Sequence, residues 1–237
     1  MLLGNNKLSN IDLSNNSELR LLHLYQNQLT AINLSNNLQL ENLNLSSNPQ
    51  LASLNISSHS KLKNLNLNYM KQLNLDNIDL SIYPDLENID LASNNLLSID
   101  LTKNLKLRRL SLGGNELTNL NLSANTELIF LDLTDNQLPS LDLSFNSKLE
   151  FMGISNNFIE IIDISNNNML SSIYMTDNLI SDISKIEAIY SQLLTNVKAN
   201  NIINGELFTL NNNYVTSQTL IDAANELIND FNWNVYY

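Results

Sequence analysis

The chain has 237 residues, 24 acidic against 12 basic, for a formal net charge of -12, and it contains no cysteine. Nucleic-acid binding needs clustered Lys and Arg to neutralise phosphates, and the charge argues against it as it does against anionic membrane surfaces. Disulfides, thiolate nucleophiles and cysteine metal sites are excluded, and no apolar run approaches the roughly 20 residues of a membrane helix.

The opening Met1-Leu2-Leu3-Gly4-Asn5-Asn6 lacks a basic n-region and an apolar h-region, and it already lies inside a repeat. A fragment of a longer chain is therefore expected, which leaves open a signal peptide removed upstream. From there apolar pairs recur. Leu22-x-Leu24 is followed by Asn27 and Leu29, and Ile32-x-Leu34 by Asn37 and Leu40. The pattern returns at Leu110-x-Leu112, Leu120-x-Leu122, Leu131-x-Leu133 and Leu141-x-Leu143, then at Met152-x-Ile154, Ile162-x-Ile164 and Ile173-x-Met175. Successive pairs lie alternately about 11 and about 10 residues apart, so one coil takes about 21 residues. Side chains alternate faces along an extended segment, so each pair points inward. Two such segments per coil predict two short parallel ladders on opposite sides of about eight coils.

The units read LxxLxLxxNxLxxLDLSxNxx, as in Leu110 to Ser123 and Leu131 to Ser144. This resembles the bacterial leucine-rich repeats of 21 residues, over roughly residues 1–183. The resemblance implies an exported or surface-associated protein that binds another protein. The fold class expected is an α/β leucine-rich repeat solenoid with two short parallel β-ladders per coil, closed by a small C-terminal α/β cap. The domain boundaries that follow are 1–183 for the solenoid and 184–237 for the cap.

An asparagine follows each pair where the chain turns, at Asn94, Asn104, Asn115, Asn125, Asn136, Asn146, Asn157, Asn167 and Asn178. Its amide can donate to and accept from the backbone of neighbouring coils, satisfying groups that a tight turn strands. His59, Met70 and Tyr83 occupy three successive asparagine positions, and the step from Leu67 to Leu80 is 13 residues. A bulge in the stacking or a grafted binding feature would account for this interruption. Beyond Ser181 the period becomes helical. Ser184-x-x-Glu187 reads as a capping box opening a helix through about Leu194. Glu206 to Leu210 reads as a strand, Ser217 to Phe231 as a helix, and Trp233 to Tyr237 as a final strand. Such a segment would cover the last coil's leucines and strand edge, with Trp233 in its core.

The outward positions differ between the two expected ladders. One is uniform, with Asp12, Asn33, Asn55, Asp79, Asp100, Asn121, Asp142 and Asp163 each followed two residues on by Ser or Thr. The other varies, carrying Leu21, His23 and Tyr25, then Arg109, Phe130, Asp132, Phe151 and Tyr174. Exposed aromatics beside an arginine carry binding energy at protein interfaces, so Tyr25, Arg109, Phe130, Asp132, Phe151 and Tyr174 form the candidate ligand-binding set. Phe130 and Phe151 should stack across adjacent coils, and aromatics at regular spacing could equally stack on sugar rings. Asp79 with Asp100, and Asp142 with Asp163, are the adjacent carboxylates a calcium ion would use, but flat ladders rarely supply its six or more oxygens. No catalytic set stands out: His23 and His59 have no evident acid partner, and no phosphate loop or HExxH spacing occurs. A monomer that binds protein without catalysis or a cofactor is expected. Carbohydrate binding and a purely structural spacer are the alternatives.

Overall fold

A computed structural model describes residues 1–75, 78–208 and 217–236. The chain forms two compact units, residues 1–116 and 117–237. In the first, strands β1 (Leu21–His23), β2 (Asn42–Asn44), β3 (Asn64–Asn66), β4 (Asn88–Asp90) and β5 (Arg109–Ser111) pair in parallel, each with the next. In the second, β6 (Phe130–Asp132), β7 (Phe151–Gly153), β8 (Ser172–Tyr174), β9 (Glu206–Phe208) and β10 (Asn234–Tyr236) do the same. The middle residue of each strand from β1 to β9 is buried, as are the leucines and the isoleucine that directly follow β1 to β7.

Each strand is only three residues long because the chain turns at once. The side-chain oxygens of Asn44, Asn66, Asp90 and Asp132 accept from backbone N–H groups two residues on. A left-handed residue comes next in every coil: Asn5, Gln26, Ser47, Tyr69, Ser93, Gly114, Asp135, Asn156 and Asp177 have φ between 52° and 67°. Asn, Asp and Gly adopt that conformation readily, whereas a bulky side chain there is strained by roughly 1–2 kcal/mol. Tyr69 is therefore the outlier of the series.

The asparagines form two ladders with different chemistry. After the strands, Asn27, Asn48, Asn115 and Asn157 use both ends of the amide. Their oxygens accept from the N–H groups of Leu8, Leu29, Leu96 and Leu138 in the preceding coil. Their Nδ2 groups donate to the carbonyls of Leu3, Leu24, Leu91 and Leu133. On the opposite side of the coil, Asn37, Asn146 and Asn167 only donate, each to two carbonyls of the preceding coil. Their amide oxygens are buried without a hydrogen-bond partner.

A ladder that needs only donors can be built from other side chains, which explains the interruption seen in the sequence. His59 brings its ring nitrogens to 3.1 Å from the carbonyl oxygens of Ile56 and Leu34. Tyr83 donates its hydroxyl to Ile56 at 2.8 Å, and burial, with Asp79 nearby, pushes its phenol up to about 12. Both are buried and hold the coils together as asparagine does elsewhere. Met70 stands in the first ladder, where its N–H donates to Asn94, 24 residues on. The longer coil contains a short 3-10 helix at Leu80–Ile82.

The expected second β-ladder is not formed among the described residues. Those segments spend their N–H groups locally instead of across coils. Asp12, Asn33, Asp100, Asp142 and Asp163 each accept from the N–H two residues on. Consecutive turns follow, as when Asn146 donates to Leu143 and Leu149 to Asn146. The uniform Asp, Asn, Ser and Thr series is therefore a set of turn-making residues, in which these Asp and Asn side-chain oxygens are satisfied within their own coil.

The same Asp-x-Ser device starts the first helix. Asp182 accepts from the Ser184 N–H and is the N-cap of α1 (Ile183–Asn200). The capping box expected from Ser184 and Glu187 is not the cap; Glu187 accepts instead from the Ser217 hydroxyl. The helix runs on to Asn200, six residues past the expected Leu194, and ends on left-handed Asn201. Ser217 caps α2 (Gln218–Phe231), whose Leu220, Ala224 and Leu227 are buried. β9 and β10 fall where strands were expected; their anticipated ends at Leu210 and Tyr237 lie outside the described residues. Trp233 is buried, donates its indole N–H to Ile202 and lies against Gly205, where a Cβ would come within 2.2 Å of the ring.

Candidate binding face

On a strand whose middle residue is buried, the first and third residues point outward, giving the sheet two outward columns. In the C-terminal unit the first column reads Phe130, Phe151, Ser172, Glu206, Asn234 and the second Asp132, Gly153, Tyr174, Phe208, Tyr236. Five aromatic rings run across these strands. Phe130 stacks on Phe151 with centroids 4.4 Å apart, and Phe151 meets Tyr174 at 5.4 Å and a tilt of 33°. Tyr174 stacks on Phe208 at 4.6 Å, and Phe208 on Tyr236 at 4.1 Å. Each pair contributes roughly 0.5–1.5 kcal/mol beyond the area it buries.

The row is diagonal, crossing from the first column to the second between β7 and β8. Gly153 makes the crossing possible. A Cβ there would sit 3.1 Å from Asp132 Oδ1 and 3.4 Å from the Phe151 ring, so both side chains lean into the space a larger residue would fill. The tilt of Tyr174 is fixed from the other side, where its hydroxyl donates to Glu206 at 2.5 Å. That hydrogen bond to the carboxylate is the main cause pushing the Tyr174 phenol up to about 12.

Of the candidate set, the structure brings together Phe130, Asp132, Phe151 and Tyr174. Tyr25 and Arg109 belong to the N-terminal unit. Tyr25 follows β1 and packs its ring on Gly4, where a Cβ would come within 2.3 Å. Arg109 opens β5, four strands from β1 or roughly 19 Å at 4.8 Å per spacing. Phe208 and Tyr236 belong to the row but are missing from the sequence-derived set. The available signal was their strand pattern, since Glu206-Leu207-Phe208 and Asn234-Val235-Tyr236 repeat the order of Ser172-Ile173-Tyr174.

The Asp candidates for calcium are each engaged in their own turn. The N–H of Thr102, Ser144 and Ser165 holds the carboxyls of Asp100, Asp142 and Asp163 below the usual range, and Asp79 accepts from the Ser81 N–H and hydroxyl. Among the described residues no group of three metal-ligating side chains occurs. Two clefts of about 210 and 260 Å³ flank the long coil at Leu75 to Leu96, smaller than the usual range of ligand pockets. Phe145, Phe158 and Ile161 are exposed apolar side chains that lie outside the sheet. No helix among the described residues is long and apolar enough to cross a membrane.

No protein-family model matches the chain, and neither does any curated protein. Solved structures do match its fold. A leucine-rich repeat protein of Leptospira interrogans superposes with a TM-score of 0.69 at 25% identity, covering 81% of this chain and 52% of that one. The functional domain of InlJ from Listeria monocytogenes gives 0.65 at 24%, covering 75% and 44%. The chain thus spans about half the length of these two proteins. The TLR13–ssRNA13 complex gives 0.57 at 26%, covering 72% of this chain and 28% of that one. With its 21-residue period, asparagine ladders and parallel sheet, the chain is a leucine-rich repeat solenoid.

Proposed function

We propose that this chain is a non-catalytic protein-binding module, displayed outside the cell or on its surface, which recognises its partner through the aromatic row on β6 to β10. The similarity to internalin and leucine-rich repeat structures supports the class of function. The single observation that supports the face is the row itself, five rings in continuous contact on the outward side of a sheet. Helices α1 and α2 pack together, α2 against β10, and α1 holds the Ile164 backbone through Gln192 and Asn196, so the pair serves as the cap of the last coils.

Ring geometry favours protein over carbohydrate. Sugars stack on ring faces, but the inner faces of this row lie against one another and its edges point outward. The net charge of -12 argues against an RNA backbone as ligand. The test is a screen of the purified chain against arrays of extracellular proteins and oligosaccharides, repeated with Phe130, Phe151 and Tyr174 replaced together by Ala. A protein hit that the triple variant loses, while its far-UV circular dichroism shows that it stays folded, is the expected result. A hit that survives the substitutions, or hits confined to sugars, would overturn the reading.

A further inference from the structure

The charge of the chain is unevenly placed. Residues 117–237 contain 14 Asp and Glu against 3 Lys and Arg, whereas residues 1–116 contain 10 against 9. Two of the three cations in the C-terminal unit are already paired, Lys148 with Glu127 and Lys198 with Glu226. Strands β6 to β10 include no basic residue, and their only charged residues are Asp132 and Glu206. These two carboxylates occupy the corners that the diagonal row leaves, one on each flank. Asp132 lies in the second column of β6 and Glu206 in the first column of β9. They are separated by three strand spacings, about 14 Å at 4.8 Å each.

We propose that the partner presents to this row a cationic segment in which Lys or Arg side chains are spaced among apolar ones. This deepens the protein-binding reading above and rests on it. Apolar side chains of the segment cover the outward ring edges, while two of its cations reach Asp132 and Glu206. With ring faces turned onto one another, a guanidinium or ammonium finds its partner in the flanking carboxylates rather than over a ring. An extended segment advances about 3.3 Å per residue, so cations four or five positions apart span the two carboxylates. The negative field of the whole unit adds attraction that falls with salt, since the Debye length is about 8 Å at physiological ionic strength.

The test titrates the full chain with two fluorescent synthetic peptides that share the same apolar residues and carry either Lys or Glu at every fourth position. The Lys peptide is expected to bind, weakening as salt rises, and the Glu peptide is not. D132N with E206Q should weaken binding at least tenfold. Both changes keep an acceptor oxygen for Thr134 and Tyr174, so the face retains its shape. D222N with D230N removes the same charge from α2 and should change binding less than twofold. Equal losses in the two double variants would show that only net charge is read, and would overturn the proposal. Equal binding of both peptides would overturn it too, and F151A with F208A then separates the two readings. Loss of binding in that row variant would leave the protein-binding face standing without the cationic partner, whereas full binding would remove the face itself.

Discussion

Replacing Asn157 and Asn146 separately by Ala distinguishes the two asparagine ladders. The Asn157 amide accepts from the Leu138 N–H at 3.0 Å and donates to the carbonyls of Leu133 and Ile154. Truncation leaves both carbonyls another donor, from Asn136 and Asn178, but removes the Asn157 oxygen from a buried N–H. A stranded buried donor costs about 1–3 kcal/mol and each lost bond about 0.5–1.5 kcal/mol, so Asn157→Ala should destabilise by roughly 2–5 kcal/mol. The Asn146 amide only donates, to Leu122 and Asn125, while its oxygen is buried without a partner. Both of those carbonyls keep a backbone donor, from Asn125 and Leu128. Asn146→Ala should therefore cost about 1–2 kcal/mol, and Asn146→His should be tolerated, as His59 is, where Asn157→His is not. Urea denaturation of the full chain, followed by far-UV circular dichroism, measures both sites. Equal costs at the two positions would refute the distinction between a donor-only ladder and a two-ended one.

Three further outcomes follow from other features. Gly153→Val should push the Phe151 ring off Phe130 and destabilise by about 1–3 kcal/mol; an unchanged near-UV aromatic signal would contradict the role given to Gly153. Tyr69→Asn relieves a left-handed strain of roughly 1–2 kcal/mol and forfeits the Lys71 contact, 4.7 Å from the ring centroid, worth about 0.5–1 kcal/mol. Thermal melting should show the variant at least as stable as the parent, and a clear loss would mean that Tyr69 is held by more than this contact. The carboxyls of Asp12, Asp100, Asp142 and Asp163 are held below 3.8 by the turn N–H groups. A depressed folded value means that their contribution is present above 3.8 and is lost as pH falls through the folded value. Stability should thus decline at the acid end of the carboxylate range. Changing all four to Asn, which makes the same turn at Asn33 and Asn121, should flatten that decline.

The coil and its core were readable from the sequence because inward leucines recur at a fixed period, and burial leaves little choice at those positions. That the described residues form no second β-ladder was not, because Ile-x-Leu looks alike in both halves of a coil. The deciding cue is the Asp-x-Ser that captures the backbone N–H for a turn, as at Asp142 and Ser144. The interruption at His59 and Tyr83 was visible, but its meaning depended on which end of each asparagine amide is used, which only the geometry shows. In the aromatic row, Phe130, Phe151 and Tyr174 could be found from equivalent repeat positions. Phe208 and Tyr236 escaped because helices α1 and α2 separate their strands from the repeat, so no fixed period reaches them. Tyr25 and Arg109 had the right residue types at outward positions, but aromaticity and charge carry no information about how many strands lie between them.

Hydroxyl-radical footprinting of the chain, free and bound to the protein partner found in the array screen, tests the binding face most directly. The account predicts protection at Phe151, Tyr174, Phe208 and Tyr236, the last of which is 49% exposed in the free chain. Phe145, Phe158 and Ile161, each more than half exposed outside the sheet, should keep their reactivity. Protection of those three side chains with an unchanged aromatic row would place the interface elsewhere and contradict the account.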